Sequence, residues 1–180
     1  YCVDHFVRPG ETLASRDYHA FAGGKGFNQS IALARAGVPT RHAGCVGRDG
    51  AWLLDRLGSE GVDIAQVRLA EAPTGHAVIQ VIPSGENAIV LHRGANALVT
   101  VNDVARALSS SSPEDILLVQ NETSAVAEAI RAGKERGLRV VFNPAPMSTA
   151  VLDYPLRDVD LFIFNETEAE GLTGQRTPEA

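Results

Sequence analysis

The chain is poor in cysteine and has neither a basic block nor a long apolar run, and each shortage excludes a class of protein. Cys2 and Cys45 are its only cysteines, so we expect neither a disulfide framework nor a cysteine-based metal centre. The net charge of −6, without clustered lysines or arginines, argues against a nucleic-acid partner. No apolar stretch approaches the roughly 20 residues of a membrane span. We therefore expect no membrane partner and a cytoplasmic protein, in keeping with a reducing compartment.

The rest of the composition is that of an ordinary globular domain. Hydrophobic residues make up 44% and charged residues 21% of the 180 residues. A chain of this length buries roughly two-thirds of its unfolded surface. It has no initiator methionine, opens at Tyr1 in the middle of a pattern and stops at Ala180 without a closing element. We therefore expect a fragment of a longer protein.

The most informative segment is the glycine-rich run Gly23–Gln29, which reads Gly-Gly-Lys-Gly-Phe-Asn-Gln. An alanine-rich helix follows it and is predicted to end at Gly37. Glycines such as Gly24 allow a sharp turn and the close approach of a ligand. The start of the helix offers free N–H groups and partial positive charge, to which Lys25 and Asn28 add donors. The segment therefore predicts a site for an oxygen-rich ligand, either hydroxylated or anionic.

Two better-known glycine-rich motifs do not fit this segment. A nucleotide P-loop has four spacer residues before Gly-Lys and a Ser or Thr after it, whereas Lys25 is followed by Gly26. A dinucleotide-binding turn would have a third glycine where Gln29 stands. A flexible connection with a solvated lysine remains the alternative for the segment taken alone.

Hydrophobic periodicity predicts a hairpin in the first half of the chain and alternating strands and helices in the second. The predicted strands are 42–46, 62–69, 115–120, 138–142 and 160–164, and the hairpin joins 75–82 to 87–93. The predicted helices are 51–60, 100–109, 123–136 and 166–172. This alternation indicates a parallel sheet with helical crossovers.

Polar residues stand at the ends of three of these strands. They are Gln120-Asn121-Glu122, Asn143, and Asn165 with Glu168. Ligands of such sheets bind beyond the carboxyl ends of the strands, which favours a common site. Each residue also has a local explanation as a helix cap or, for Asn143 before Pro144, as a turn former.

The order of these segments resembles the ribokinase family of sugar kinases, also called the PfkB carbohydrate kinases. The similar segments are Pro9–Thr12, Gly23–Gln29, Thr74–Ala77, Ser84–Asn87, Gly94–Asn96, Asn143–Pro146 and Asn165–Glu170. The resemblance implies an α/β, ribokinase-like three-layer sandwich with a mostly parallel central sheet and a small β-sheet lid. Residues 1–27 and 75–98 would form the lid strands. Residues 28–74 and 99–180 would form an incomplete α/β core that lacks the C-terminal nucleotide-binding part.

The resemblance also implies a phosphotransferase that moves the γ-phosphoryl group of ATP to a sugar hydroxyl with Mg²⁺. By residue-level match, Gly24, Lys25, Asn28 and Glu122 would bind the sugar. Asn165 would lie near the nucleotide phosphates, and Glu168 would bind Mg²⁺ through water. Potassium stays open as an activating ion. Loss of the Lys25 ammonium would remove a charged hydrogen bond, which is worth roughly 1.5–3 kcal/mol.

Ribose is the leading substrate, and its product would be ribose 5-phosphate. Fructokinase and nucleoside kinase remain alternatives within the family. A non-catalytic sugar-sensing domain of the same fold is the alternative that is not an enzyme. An oxidoreductase with a parallel sheet would need a glycine-rich turn after its first strand, and none is present.

The chain departs from the family pattern in three ways. The family's catalytic aspartate lies in a Gly-Ala-Gly-Asp loop that does not occur here, so we expect that base beyond Ala180 and expect this chain alone to be inactive. The family's first strand, with a sugar-binding Asn and Asp, would lie just before Tyr1. Phe27 is larger than the usual residue, and we expect it to pack under its helix.

Three further expectations concern apolar and histidine residues. Both hairpin strands are apolar, and together with the resemblance this predicts a homodimer through the lid. Trp52 stands beside the leucines of its helix, so we expect it to lie partly in the core. The five histidines have no spacing that predicts a metal site.

Overall fold

The computed structural model describes residues 1–176, which form an α/β fold with parallel strands in two groups and one antiparallel hairpin. The strands are β1 (Arg41–Gly47), β2 (Asp63–Ala70), β3 (His76–Val81), β4 (Asn87–His92), β5 (Ile116–Gln120), β6 (Arg139–Asn143) and β7 (Leu161–Phe162). Strands β1 and β2 pair in parallel, and β3 and β4 form the antiparallel hairpin. The remaining strands form a parallel sheet in the order β5-β6-β7.

Helices alternate with these strands. They are α1 (Lys25–Arg35), α2 (Ala51–Ser59), α3 (Val101–Ala107), α4 (Val126–Glu135) and α5 (Glu166–Thr173). Helix α1 precedes β1, α2 to α4 lie between strands, and α5 follows β7. The strands and helices whose bounds we predicted from hydrophobic periodicity are all present, with ends shifted by at most three residues. Short 3₁₀ helices at 48–50, 94–98, 149–153 and 156–158 were not predicted, since segments of one turn carry no periodic signal.

The core is centred on α4 and the β5–β6 pair. Ile130, Val140 and Phe142 have no exposed surface there, and Val126 of α4 packs with them. A second apolar cluster joins α1, α2 and the start of β2, where Phe27 packs against Leu57 and Val62. The prediction that Phe27 packs under its helix is therefore confirmed.

Trp52 is half buried, as expected of a residue partly in the core, but it does not belong to the apolar cluster around Phe27. Leu53 and Leu57 are four residues apart and share the buried face of α2. Trp52 precedes that face by one position, and it lines a groove beside α1 instead.

The hairpin is extended by the N-terminal segment of the chain. Tyr1 and Val3 exchange backbone hydrogen bonds with Val81 at 2.9 Å, and the Cys2 amide donates to Asp17 at 3.0 Å. We call residues 1–3, β3 and β4 the lid sheet. Val3 is buried, whereas the large apolar side chains of β3 and β4 are exposed: Val78, Ile79, Val81, Ile89, Val90 and Leu91. The division of the whole chain into lid and core remains a prediction, and α1 begins at Lys25, inside the segment assigned to the lid.

A cavity of about 650 Å³ separates the β1–β2 pair from the three-stranded sheet. His42 and Ser30 lie on its wall, with 2.8 Å between the imidazole Nδ1 and the hydroxyl oxygen. Burial lowers the pKa of His42, because a charged imidazole would lose its hydration there. Arg41 and Asp115 connect the two sides through an ion pair of 2.9 Å. In the part of the chain that the structure describes, no helix has the length and apolar character needed to cross a membrane.

Candidate functional site

The start of α1 and the end of β5 meet in one ion pair. Lys25 Nζ donates to Glu122 Oε1 at 2.8 Å, and the Lys25 backbone N–H donates to Glu122 Oε2 at 3.0 Å. The two residues are 97 positions apart, so only the fold brings them together. Their side chains are 39% and 22% exposed, which leaves the pair within reach of a small ligand.

Two glycines permit this close approach, each for a different reason. Gly24 has a φ of 101°, a conformation that other residues rarely adopt, although a side chain would meet only ordinary contacts there. At Gly26 an added Cβ would lie 2.9 Å from Gln120 Oε1, so the Gln120 side chain would have to shift. Gln120 in turn donates a hydrogen bond to Gln29, which holds the first turns of α1 against the end of β5.

The donors and acceptors of this junction suit a hydroxylated ligand. Lys25 carries three ammonium hydrogens, of which the Glu122 contact uses one. Both oxygens of Glu122 accept a bond, and a carboxylate oxygen has room for a second. A hydroxyl group both donates and accepts, so it can accept from Lys25 while it donates to Glu122.

Asn28 lies one turn further along α1 and is exposed. Its backbone N–H donates to Gly24 at 2.9 Å as part of the helix. Its side chain lines a groove of about 750 Å³ that Phe21 and Trp52 also line. Among residues 1–176 no hydrogen bond joins this side chain to Lys25 or Glu122, so its sugar-binding role remains a prediction.

Asn165 and Glu168 form the capping box of α5. Asn165 Oδ1 accepts from the Glu168 backbone N–H at 2.9 Å, and Glu168 Oε2 accepts from the Asn165 N–H at 3.1 Å. This arrangement satisfies two free N–H groups of the helix start, so local structure alone accounts for both residue types. Their roles toward nucleotide and metal stay predictions.

The chemistry of Glu168 nevertheless fits the magnesium role. Its Oε1 atom takes no part in the capping box, and a carboxylate oxygen is a preferred ligand of Mg²⁺. Across residues 1–176 no group of three or more His, Cys, Asp or Glu side chains could hold a metal ion. Mg²⁺ is usually bound by one or two carboxylates together with substrate phosphates and water, so Glu168 would act together with a bound nucleotide.

The other polar residues at strand ends hold loops in place. Asn121 Oδ1 accepts from the Tyr154 hydroxyl at 2.9 Å, and its amide donates to the Pro146 carbonyl at 2.6 Å. Asn143 Oδ1 accepts from the Ala145 backbone N–H at 3.1 Å, which is the turn-forming role. Of the polar strand ends, Glu122 is the one whose side chain contacts Lys25.

Asp49 and Thr74 form a contact at the base of the lid that sequence reasoning did not identify. Asp49 Oδ1 accepts from the Thr74 N–H at 3.0 Å and from its hydroxyl at 2.8 Å. These hydrogen bonds lower the pKa of Asp49, because they favour the charged carboxylate. The two residues are 25 positions apart, so the local sequence does not reveal the contact.

Comparisons with known proteins identify the family of this chain. The sequence model of the pfkB family carbohydrate kinases matches residues 1–180. The ribokinase of Haemophilus influenzae is 40% identical over 177 residues, covering 96% of this chain and 58% of that protein.

Two solved structures show the same fold. The ribokinase of Cryptococcus neoformans in complex with ADP has a TM-score of 0.82 and 38% identity, covering 96% of this chain and 56% of that one. The ribokinase of Arabidopsis thaliana complexed with ribose and ATP has a TM-score of 0.81 and 30% identity, covering 98% of this chain and 59% of that one. The chain therefore belongs to the pfkB family of carbohydrate kinases and has the ribokinase fold, and it spans a little over half the length of these relatives.

Proposed function

We propose that this family member is the sugar-binding part of an ATP-dependent sugar kinase that converts ribose to ribose 5-phosphate. The observation that carries the proposal is the ion pair between Lys25 and Glu122, which joins the glycine-rich loop to a strand end. Two related ribokinase structures support it, since the Arabidopsis thaliana protein is complexed with ribose and ATP and the Cryptococcus neoformans protein with ADP. The identity of 40% to a ribokinase favours ribose over fructose or a nucleoside.

In this proposal the sugar replaces part of the existing ion pair. One hydroxyl accepts from Lys25 and donates to Glu122, while Gly24 lets the backbone approach the ring closely. Asn28 supplies both an amide donor and a carbonyl acceptor for a neighbouring hydroxyl. Hydrogen bonds to charged partners contribute roughly 1.5–3 kcal/mol each, so the loss of either charge should lower sugar affinity about 10- to 100-fold.

Asn165 and Glu168 would serve the nucleotide side of the reaction. Bound Mg²⁺ would neutralise phosphate charge, and Glu168 would hold it through a water molecule. Potassium remains a candidate activator. The base that removes the proton of the sugar hydroxyl would be the family's aspartate, expected beyond Ala180, so this chain alone should not transfer phosphate.

The lid sheet would supply the contact between two copies of the enzyme. Its exposed apolar residues lie on both faces, which a small isolated sheet cannot bury by itself. We expect a homodimer by light scattering at micromolar concentration, and a strictly monomeric result would count against this contact. The low cysteine content keeps the cytoplasm as the proposed compartment.

The test measures sugar binding and phosphoryl transfer separately on the full-length enzyme. Isothermal titration with ribose, fructose and adenosine identifies the substrate class, and an ATP-coupled assay then measures turnover. Lys25→Ala and Glu122→Gln should each lower ribose affinity about 10- to 100-fold. Lys134→Ala is the matched control, since Lys134 forms an ion pair of 2.9 Å with Asp160 away from the site.

Each outcome separates the rival functions. Tight binding of fructose or adenosine in place of ribose would assign another kinase of the family. Ribose binding without any ATP-dependent phosphorylation would favour the sugar-sensing alternative. Equal ribose affinity in the Lys25 and Glu122 variants would refute the proposed sugar site.

A further inference from the structure

Two histidines face each other where the lid sheet joins the rest of the molecule. His76 at the start of β3 pairs directly with His92 at the end of β4. Their ring centroids are 5.1 Å apart, their planes are inclined by 48°, and both residues are exposed. Side chains of directly opposed residues extend from the same face of an antiparallel pair, so both imidazoles are available to one ligand.

The hydrogen bond of His76 determines which nitrogen is available. Its Nδ1 lies 3.0 Å from the Thr74 carbonyl oxygen. A carbonyl oxygen only accepts, so this contact assigns the proton to Nδ1 and leaves the lone pair on Nε2. Metal-binding histidines are usually oriented in this way, with the second ring nitrogen donating to a carbonyl or carboxylate. Thr74 is itself held by Asp49, which fixes the position of that carbonyl.

We propose that His76 and His92 together bind one zinc ion that bridges β3 and β4 at the base of the lid sheet. Zinc binds imidazole nitrogen at about 2.0–2.1 Å, so a tetrahedral site needs the two nitrogens about 3.3 Å apart. Because the ring centroids are 5.1 Å apart, binding of one ion requires the two rings to turn about their χ angles until one nitrogen of each reaches that distance. Water completes the coordination, because no third His, Cys, Asp or Glu joins this pair in the described chain.

This ion differs in chemistry and position from the magnesium proposed for Glu168. Imidazole nitrogens suit zinc, copper and nickel, whereas carboxylate and phosphate oxygens suit magnesium. Zinc at this position would connect the first residue of β3 to the last residue of β4. Because both ligands belong to the lid sheet, the ion would stabilise the pairing of β3 with β4 at the end of the hairpin nearest the core.

The test titrates the chain with zinc chloride in a non-coordinating buffer by isothermal calorimetry. We expect one zinc per chain, and His76→Gln and His92→Gln should each weaken binding roughly tenfold or more. His5→Gln and His19→Gln are the matched controls, because these side chains are 42% and 54% exposed and each contacts one carboxylate, Glu11 or Asp17. These two variants should leave the affinity unchanged.

Circular dichroism of every variant confirms that a loss of binding is not a loss of folding. Because both histidines are exposed on the hairpin, we expect unchanged spectra. The proposal is overturned if the chain does not bind zinc at millimolar concentration. It is equally overturned if the His76 and His92 variants bind as the wild type does, or if the His5 or His19 variant removes the binding.

Discussion

Helices α3 and α5 both begin with a capping box, but the carboxylates of the two boxes have different surroundings. In α3 the capping box joins Thr100 to Asp103, and in α5 it joins Asn165 to Glu168. Asp103 is buried and also accepts from Arg68 at 3.1 Å and Arg106 at 2.9 Å. Glu168 is partly exposed and has no ion pair with any residue from 1 to 176.

The difference separates a carboxylate that completes the fold from one that remains available to a ligand. The two arginines and the Thr100 bonds lower the pKa of Asp103 well below its usual range, with the Arg68 hydrogen bond as the largest cause. A group so fully paired has little capacity for a further partner. Glu168 keeps one oxygen outside its capping box, which is the property that a magnesium-associated residue requires.

The largest effect should follow the removal of the Asp103 carboxylate. Asp103→Ala leaves Arg68 and Arg106 without their partner and removes a helix cap. Since both arginines are partly exposed, we expect a loss of about 2–3 kcal/mol in the free energy of unfolding. Urea denaturation of the chain measures this loss. If Asp103→Ala lost less unfolding free energy than Glu168→Ala, Asp103 would not be the carboxylate that completes the fold.

A smaller effect on stability and a distinct effect on activity are expected at Glu168. Glu168→Ala should cost about 1 kcal/mol in unfolding free energy, whereas Glu168→Gln retains the capping hydrogen bond and should cost almost nothing. In the full-length enzyme both variants should require more Mg²⁺ for half-maximal rate. If the Gln variant has wild-type magnesium dependence, the residue is only a cap.

The smallest effect is the response of stability to acid. The folded pKa of Asp103 is depressed, so its contribution is complete above the ordinary pKa of Asp, about 3.9, and is lost as the pH falls toward the folded value. Between pH 5 and pH 3 the free energy of unfolding of the wild type should therefore fall more than that of Asp103→Asn. The difference between the two falls is the contribution of Asp103. Parallel slopes for the two proteins would contradict the pairing.

Sequence reasoning recovered the elements of the fold but not the partners of its polar groups. Hydrophobic periodicity and glycine stops are local properties, so they located β5 and α4 to within three residues. The meeting of Lys25 with Glu122 follows an expectation that came from the family resemblance, which assigns both residues to one ligand. The Tyr154 partner of Asn121 and the Ser30 partner of His42 depend on tertiary packing, to which neither spacing nor composition points.

The cavity between the two groups of parallel strands has a practical consequence for handling this polypeptide. Along that cavity, and within residues 1–176, β1 and β5 each have a neighbouring strand on one side only. Unpaired backbone groups on a strand edge are a template for an added strand, which a second molecule of the same sequence could supply. Preparations of the 180-residue species should accordingly polymerise with rising concentration, and short β-forming peptides added in excess should suppress that growth.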